Sequence, residues 1–136
     1  MEIFILDFLI LSISCFFCIL FIQSGVDKVL NWDEELKWVK SHFSKTIFNS
    51  SVPTLLFTLM LMEVVSGIFF ALNIINYFIY INNLIPFLSF ILSTFTLLAL
   101  FLGQRIAKDY EGGVTIAIYF GINILGLFAI FSSFFF

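Results

Sequence analysis

PTLLFTLMLMEVVSGIFFALNII, running from Pro53 to Ile75, is apolar throughout except for a few small polar residues and a single ionisable one, Glu63. A hydrocarbon core of roughly 30 Å needs about 20 such residues wound as a helix, because lipid offers no partner to an unpaired backbone group. Three more windows of this kind flank it: Ile3 to Ile22, Leu84 to Leu102 and Val114 to Phe135. Together they predict an all-α, integral membrane four-helix bundle formed by residues 1–136 as one transmembrane domain. The second span has room to run on, tilted, to Ile81.

The remaining composition agrees. Of the 136 residues 62% are hydrophobic and only 11% are charged, and the mean hydropathy is +1.15. A soluble domain of this size has too little interior to hide that much apolar surface. The formal charge is −3, and the 6 Lys and Arg residues form no basic face alternating with aromatics, which sets nucleic acid aside. Met1-Glu2-Ile3-Phe4 lacks the positive region of a secretory signal, so the first span is expected to be retained. Phe134-Phe135-Phe136 gives the expectation of a chain that stops at the outer interface.

Punctuation marks the boundaries. Pro53 suits a first helical turn after Asn49-Ser50-Ser51, Asn82-Asn83 precede Pro86, and Gly112-Gly113 are expected to break the chain before the last span. Every Lys and Arg falls between spans one and two (Lys28, Lys37, Lys40, Lys45) or between spans three and four (Arg105, Lys108). By the positive-inside rule both connections are expected in the cytoplasm and both termini outside.

The first connection has its own order. Trp32, Leu36, Val39 and Phe43 recur at i, i+4, i+7 and i+11, one face of a helix. Asn31 is placed to cap it, and Asp33, Glu34 and Glu35 occupy the first turn, where the helix dipole favours anions. An interfacial amphipathic helix over residues 32–43 follows. His42 lies off the apolar stripe and reads as solvated, not as a ligand.

Glu63 is the most informative residue. An acid at mid-span costs about 2.5 to 3.5 kcal/mol unless it faces protein or a wet cavity. Ser66, Gly67, Phe70, Ala71 and Asn73 share its half of the helix, and the small residues there admit a close neighbour. The carboxyl is either ionised against a cation such as Lys28 or Arg105, or protonated and neutral. Its role is either to join helices or to meet protons, a headgroup or a quinone oxygen.

Elsewhere the polar signals favour packing. Asp7, Ser14, Cys18 and Gly25 form one stripe of span one, expected to face the bundle. Cys15 and Cys18 are spaced like a redox pair but lie mid-span among Phe16, Phe17 and Ile19, where a small hydrophobe is the expected role. Gly113, Ala117 and Gly121 repeat every four residues, a small-residue stripe for helix packing, as Gly25 and Gly67 also suggest. Gln104 to Glu111 keeps helical spacing, with Arg105–Asp109 and Lys108–Glu111 placed as exposed pairs. No metal spacing or catalytic triad pattern is evident.

Three stretches occur together in order: Ser24-Gly25-Val26-Asp27-Lys28, Glu63 followed by Gly67, and Gly103-Gln104-Arg105-Ile106-Ala107-Lys108-Asp109-Tyr110-Glu111-Gly112-Gly113. In these the whole chain resembles the DoxX family of small four-span membrane proteins. The resemblance implies a bacterial inner-membrane protein, expected as an accessory subunit of a quinone-linked redox complex or an envelope complex. Glu63, Lys28, Arg105, Asp109 and Tyr110 are its candidate polar site, and quinone is its candidate cofactor. The expected partners are the bilayer and a membrane protein or second copy. A scaffold or assembly factor without redox chemistry is the alternative, and a small transporter or lipid-binding bundle a third reading.

Overall fold

A computed structural model describes residues 1–135; Phe136, the last of the three terminal phenylalanines, lies outside the described residues. Four long helices are present, α1 (Glu2–Leu30), α3 (Val52–Phe78), α4 (Leu84–Ile106) and α5 (Tyr110–Phe135), with a short helix α2 (Trp32–Phe43) between the first two. Each long helix is long and apolar enough to cross a membrane, and the protein is an all-α, multi-pass membrane bundle. At 1.5 Å per residue α1 is roughly 43 Å long, so it outruns the hydrocarbon and its last turns stand at the interface.

The packing order follows a closed ring. α3 lies against α1 and α4, and α5 closes the ring against α4 and α1. Facing residues run in opposite senses: Gly25 meets Val64, Gly67 meets Ile22, and Ser14 meets Asn73, so α1 and α3 are antiparallel. The connections then bring all six cationic side chains to one end of the bundle, here termed the basic end.

At the centre Phe17, Phe21, Phe70 and Phe90 are almost wholly buried. Phe17 stacks on Phe21 and Phe70 at centroid distances of 5.5 and 5.3 Å, and Phe90 meets Phe70 edge-on at 5.1 Å. Outward faces are also apolar, with Phe8, Ile19, Phe95, Leu102, Ile118 and Phe128 exposed. Exposed apolar surface on every side is what a bilayer solvates and water does not.

The boundaries differ from expectation in particular places. α1 continues past Ile22 to Leu30, carrying Lys28 on its last turn, and α3 stops at Phe78 and does not extend to Ile81. Pro53 does occupy the first turn of α3. In the turn that follows, Asn76 Oδ1 accepts the N–H groups of Ile81 and Asn82, and Asn82 Oδ1 those of Leu84 and Ile85, so two amides organise the α3–α4 hairpin. Gln104 to Glu111 is not continuous helix: α4 ends at Ile106, Lys108 takes φ 59°, and α5 restarts at Tyr110. Gly112 and Gly113 therefore lie inside α5 and do not break the chain. The stop comes earlier because Asp109 caps α5, its Oδ1 accepting the Gly112 N–H at 3.1 Å.

α2 spans the residues its periodicity predicts, and Trp32, Leu36, Val39 and Phe43 are each half-buried while Trp38 is exposed. Asn31 precedes α2 but its side chain makes no capping bond. His42 is not simply solvated, since its ring stacks on Trp38 at 3.8 Å.

Candidate functional site

The site begins with two glycines. A Cβ on Gly25 would lie 2.5 Å from the side chain of Val64, and one on Gly67 would lie 2.6 Å from Ile22 and 3.0 Å from its backbone nitrogen. Any side chain at either position would force α1 and α3 apart. With both absent the helices meet closely, and Ser24 and Lys28, one and three positions from Gly25, come within reach of Glu63.

Glu63 is buried, its side chain only 3% exposed. Its Oε1 accepts the Ser24 hydroxyl at 2.8 Å, and the Lys28 ammonium lies 2.8 Å from its Oε2. Lys28 also donates to Ser24 Oγ at 3.1 Å, which closes a three-membered polar cluster. Oε2 receives no well-angled hydrogen bond, so its stabilisation by Lys28 is Coulombic and not directed. Of the two states the sequence left open, this pattern fits the ionised carboxylate, because both oxygens face donors or a cation and Ser24 uses its single proton on Glu63.

By helical rise Glu63 lies roughly 16 Å along α3 from its basic-end start. The Lys28 side chain, 14% exposed, reaches inward from the same end. Above it opens a cavity of about 170 Å³ roofed by α2. Val39, Phe43 and Leu56 make its walls apolar, and Lys28, Gln104 and Asp109 supply polar groups. Gln104 Oε1 is buried there without a hydrogen-bond partner. A buried oxygen in that state is costly unless a ligand or water supplies a donor.

The five residues singled out in the sequence separate into three positions. Lys28 and Glu63 form the core pair. Asp109 lines the cavity while capping α5. Arg105 and Tyr110 are exposed on the outer surface, with the guanidinium over the ring at 4.6 Å, and do not join the interior cluster. The break at Lys108 puts Arg105 on α4 and Tyr110 on α5, and it dissolves the continuous helical spacing on which the Arg105–Asp109 and Lys108–Glu111 pairs rested.

The packing stripe of α5 needs a similar correction. Gly113 is buried but makes only ordinary contacts, while Ala117 and Gly121 are exposed, Gly121 with nothing within 4 Å. The close approach of α5 is instead at Gly126, where an added Cβ would overlap the Phe90 ring. The four-residue spacing was real, but burial follows Gly113, Ile116, Asn123 and Gly126.

Three further polar links join the long helices, the one through Asn123 among them in keeping with an amide able to bond across helices. Asn73 Nδ2 donates to Ser14 at 2.7 Å, Ser66 and Thr96 share a hydrogen bond of 2.8 Å, and Asn123 Nδ2 donates to Thr94 at 2.7 Å. Their signal was present as small polar residues on the half of α3 that carries Glu63; the partners on α4 had no comparable mark. Cys15 and Cys18 are both free and half-buried in the middle of α1. Among the described residues no three His, Cys, Asp or Glu side chains converge as a metal site.

No family model, curated protein or solved structure matches the chain. The residues themselves therefore carry the functional reading. A buried ion pair with one member lining an apolar cavity can fix two helices, and it can present an ammonium to a lipid-soluble ligand.

Proposed function

We propose that this protein is a DoxX-like accessory subunit of a quinone-linked redox complex, or of an envelope complex, in the bacterial inner membrane. The observation that supports it best is Lys28, tied to Glu63 on one side and lining a mostly apolar cavity, shared with Glu35, Gln104 and Asp109, on the other. An ammonium has three N–H groups. One is directed to Ser24 Oγ, and the ammonium also faces Glu63 Oε2 as an ion pair, which leaves donor capacity for a ligand oxygen.

The cavity residues fit a quinone. Lys28 suits a carbonyl oxygen, and the unpartnered Gln104 Oε1 suits the hydroxyl of the reduced form, while Val39, Phe43 and Leu56 suit the ring. Quinone supplies two-electron redox chemistry when bound; this chain supplies orientation and exclusion of water. Purification in mild detergent, followed by mass spectrometry and solvent extraction, tests the proposal. A redox partner or quinone should co-purify, and a chain that always migrates alone and quinone-free contradicts it.

The scaffold reading is favoured by a different observation: Ser24, Lys28 and Glu63 already pair with one another without a ligand. Under it Glu63→Gln leaves partner binding and electron transfer unchanged. Under the redox reading the complex stays intact while electron transfer falls. Orientation belongs to the same proposal, with the basic end in the cytoplasm. Reporter fusions in the Asn82–Asn83 turn should read as external and fusions in the 44–48 loop as internal.

A further inference from the structure

At the α1–α3 seam the side chains of Lys28, Ser24 and Glu63 form a chain with a direction. Ser24 has one proton and gives it to Glu63 Oε1 at 2.8 Å, so its Oγ meets Lys28 as an acceptor, at 3.1 Å. The Lys28 ammonium also lies 2.8 Å from Glu63 Oε2, but without a well-angled hydrogen bond. The directed route from ammonium to carboxylate therefore runs through the serine hydroxyl. Ionisable groups paired inside a membrane bundle are the usual material of proton relays.

The two ends of this chain differ in access. Lys28 lines the cavity beneath α2, whereas Glu63 is buried at the seam that Gly25 and Gly67 close. Nor does the chain continue deeper into the bundle. The next hydroxyl on that side of α3 is Ser66, paired with Thr96 at 2.8 Å. Thr96 gives its own proton to the Leu92 carbonyl at 3.0 Å, so Ser66 is the donor to Thr96 and has no proton left for Glu63. Past it Phe21 and Phe70 stack at 6.1 Å, both almost wholly buried. The polar route has one mouth and one closed end.

We propose that Ser24 relays a proton between Lys28 and Glu63, so that Glu63 stores one proton drawn from the cavity. The Lys28 N–H bond breaks as its proton passes to Ser24 Oγ, and the Ser24 O–H bond breaks as that proton passes to Glu63 Oε1; each electron pair stays on the atom that loses its proton. A neutral amine and a neutral acid result. Burial penalises the charged pair, which makes the neutral pair accessible. Hydronium in the cavity then gives its proton to the amine, and the site has gained one proton and one positive charge. Glu35 and Asp109, the other ionisable groups lining the cavity among the described residues, offset that charge. Arg105, the one ionisable group of α4, is exposed on the outer surface and takes no part.

The test is time-resolved infrared spectroscopy of the full chain in nanodiscs after a drop in pH, with no ligand added. A carboxylic acid C=O band that is missing in Glu63→Gln reports protonation of Glu63. That band is expected to appear in the native chain, to rise at least tenfold more slowly in Ser24→Ala, and to regain most of its native rate in Ser24→Thr, which restores the hydroxyl. Ser24→Cys, whose thiol is a weak donor, should give an intermediate rate and serves as a second variant if alanine loosens the seam. Amide bands in the same spectra show that each variant keeps its helices; a merely structural serine would leave the rate unchanged. No Glu63 band while the chain stays folded, a band that rises at the native rate in Ser24→Ala, or a folded Ser24→Thr as slow as Ser24→Ala overturns the relay. Neither quinone nor a protein partner enters the measurement, so the relay and the redox-subunit reading can each fail alone.

Discussion

Glu63 and Asp7 are both carboxylates set in apolar stretches of long helices, and the fold treats them differently. Glu63 is buried at a seam where two glycines bring α1 and α3 together, and it is matched there by Lys28 and Ser24. Asp7 is half-buried against an open vestibule and, among the described residues, has no ion-pair partner. The contrast shows that an acid in a membrane helix becomes a structural element when a partner reaches it across a close seam.

Unequal costs at the two sites are the sharpest way to break this comparison. Lys28→Met strands the Glu63 carboxylate, and uncompensated burial of that kind costs about 3 kcal/mol. Glu63→Gln should cost clearly less, because Lys28 is near the basic end and can extend its ammonium toward water. Reversible unfolding in mixed detergent measures both; equal costs would mean that Glu63 already has access to water.

Close approach is the next test. Gly67→Val places branched carbons against Ile22 and should cost about 1 to 3 kcal/mol. Gly121→Val, with open space around it, should stay within about 0.5 kcal/mol of the native protein by the same unfolding assay. A large effect at Gly121 would reveal a second helix on that face. At the α4–α5 seam, which has a neutral polar link in place of an ion pair, Asn123→Ala should cost about 0.6 kcal/mol, the average for an interhelical hydrogen bond in a membrane. Smallest of all, Asp7→Asn should leave stability within about 0.5 kcal/mol, since no partner is lost.

The sequence disclosed the spans and the inward face of Glu63 because both depend on local pattern. Apolar runs of bilayer length read directly, and Ser66, Gly67 and Asn73 mark the buried half of α3. The amphipathic stripe gave α2 residue for residue. Lys28 was legible only as one of two candidate cations, since Arg105 has the same charge at the same end. What separated them was the direction of the side chains: Lys28 reaches inward to Glu63, whereas Arg105 near the end of α4 is exposed over the Tyr110 ring, and nothing in the composition of Gln104 to Glu111 announces it. The packing stripe of α5 misled for a related reason. Small residues permit close approach but do not require it, and the rotation of α5 is fixed by Asn123 and Gly126 against Phe90 and Thr94.

A double-mutant cycle between positions 28 and 63 tests the central claim most directly, using Lys28→Met, Glu63→Leu and the pair together in detergent unfolding. If the ammonium and carboxylate meet inside the bundle, the double variant recovers most of the loss and the coupling is about 2 kcal/mol. Costs that simply add, to within about 0.5 kcal/mol, would contradict it and place the two charges apart.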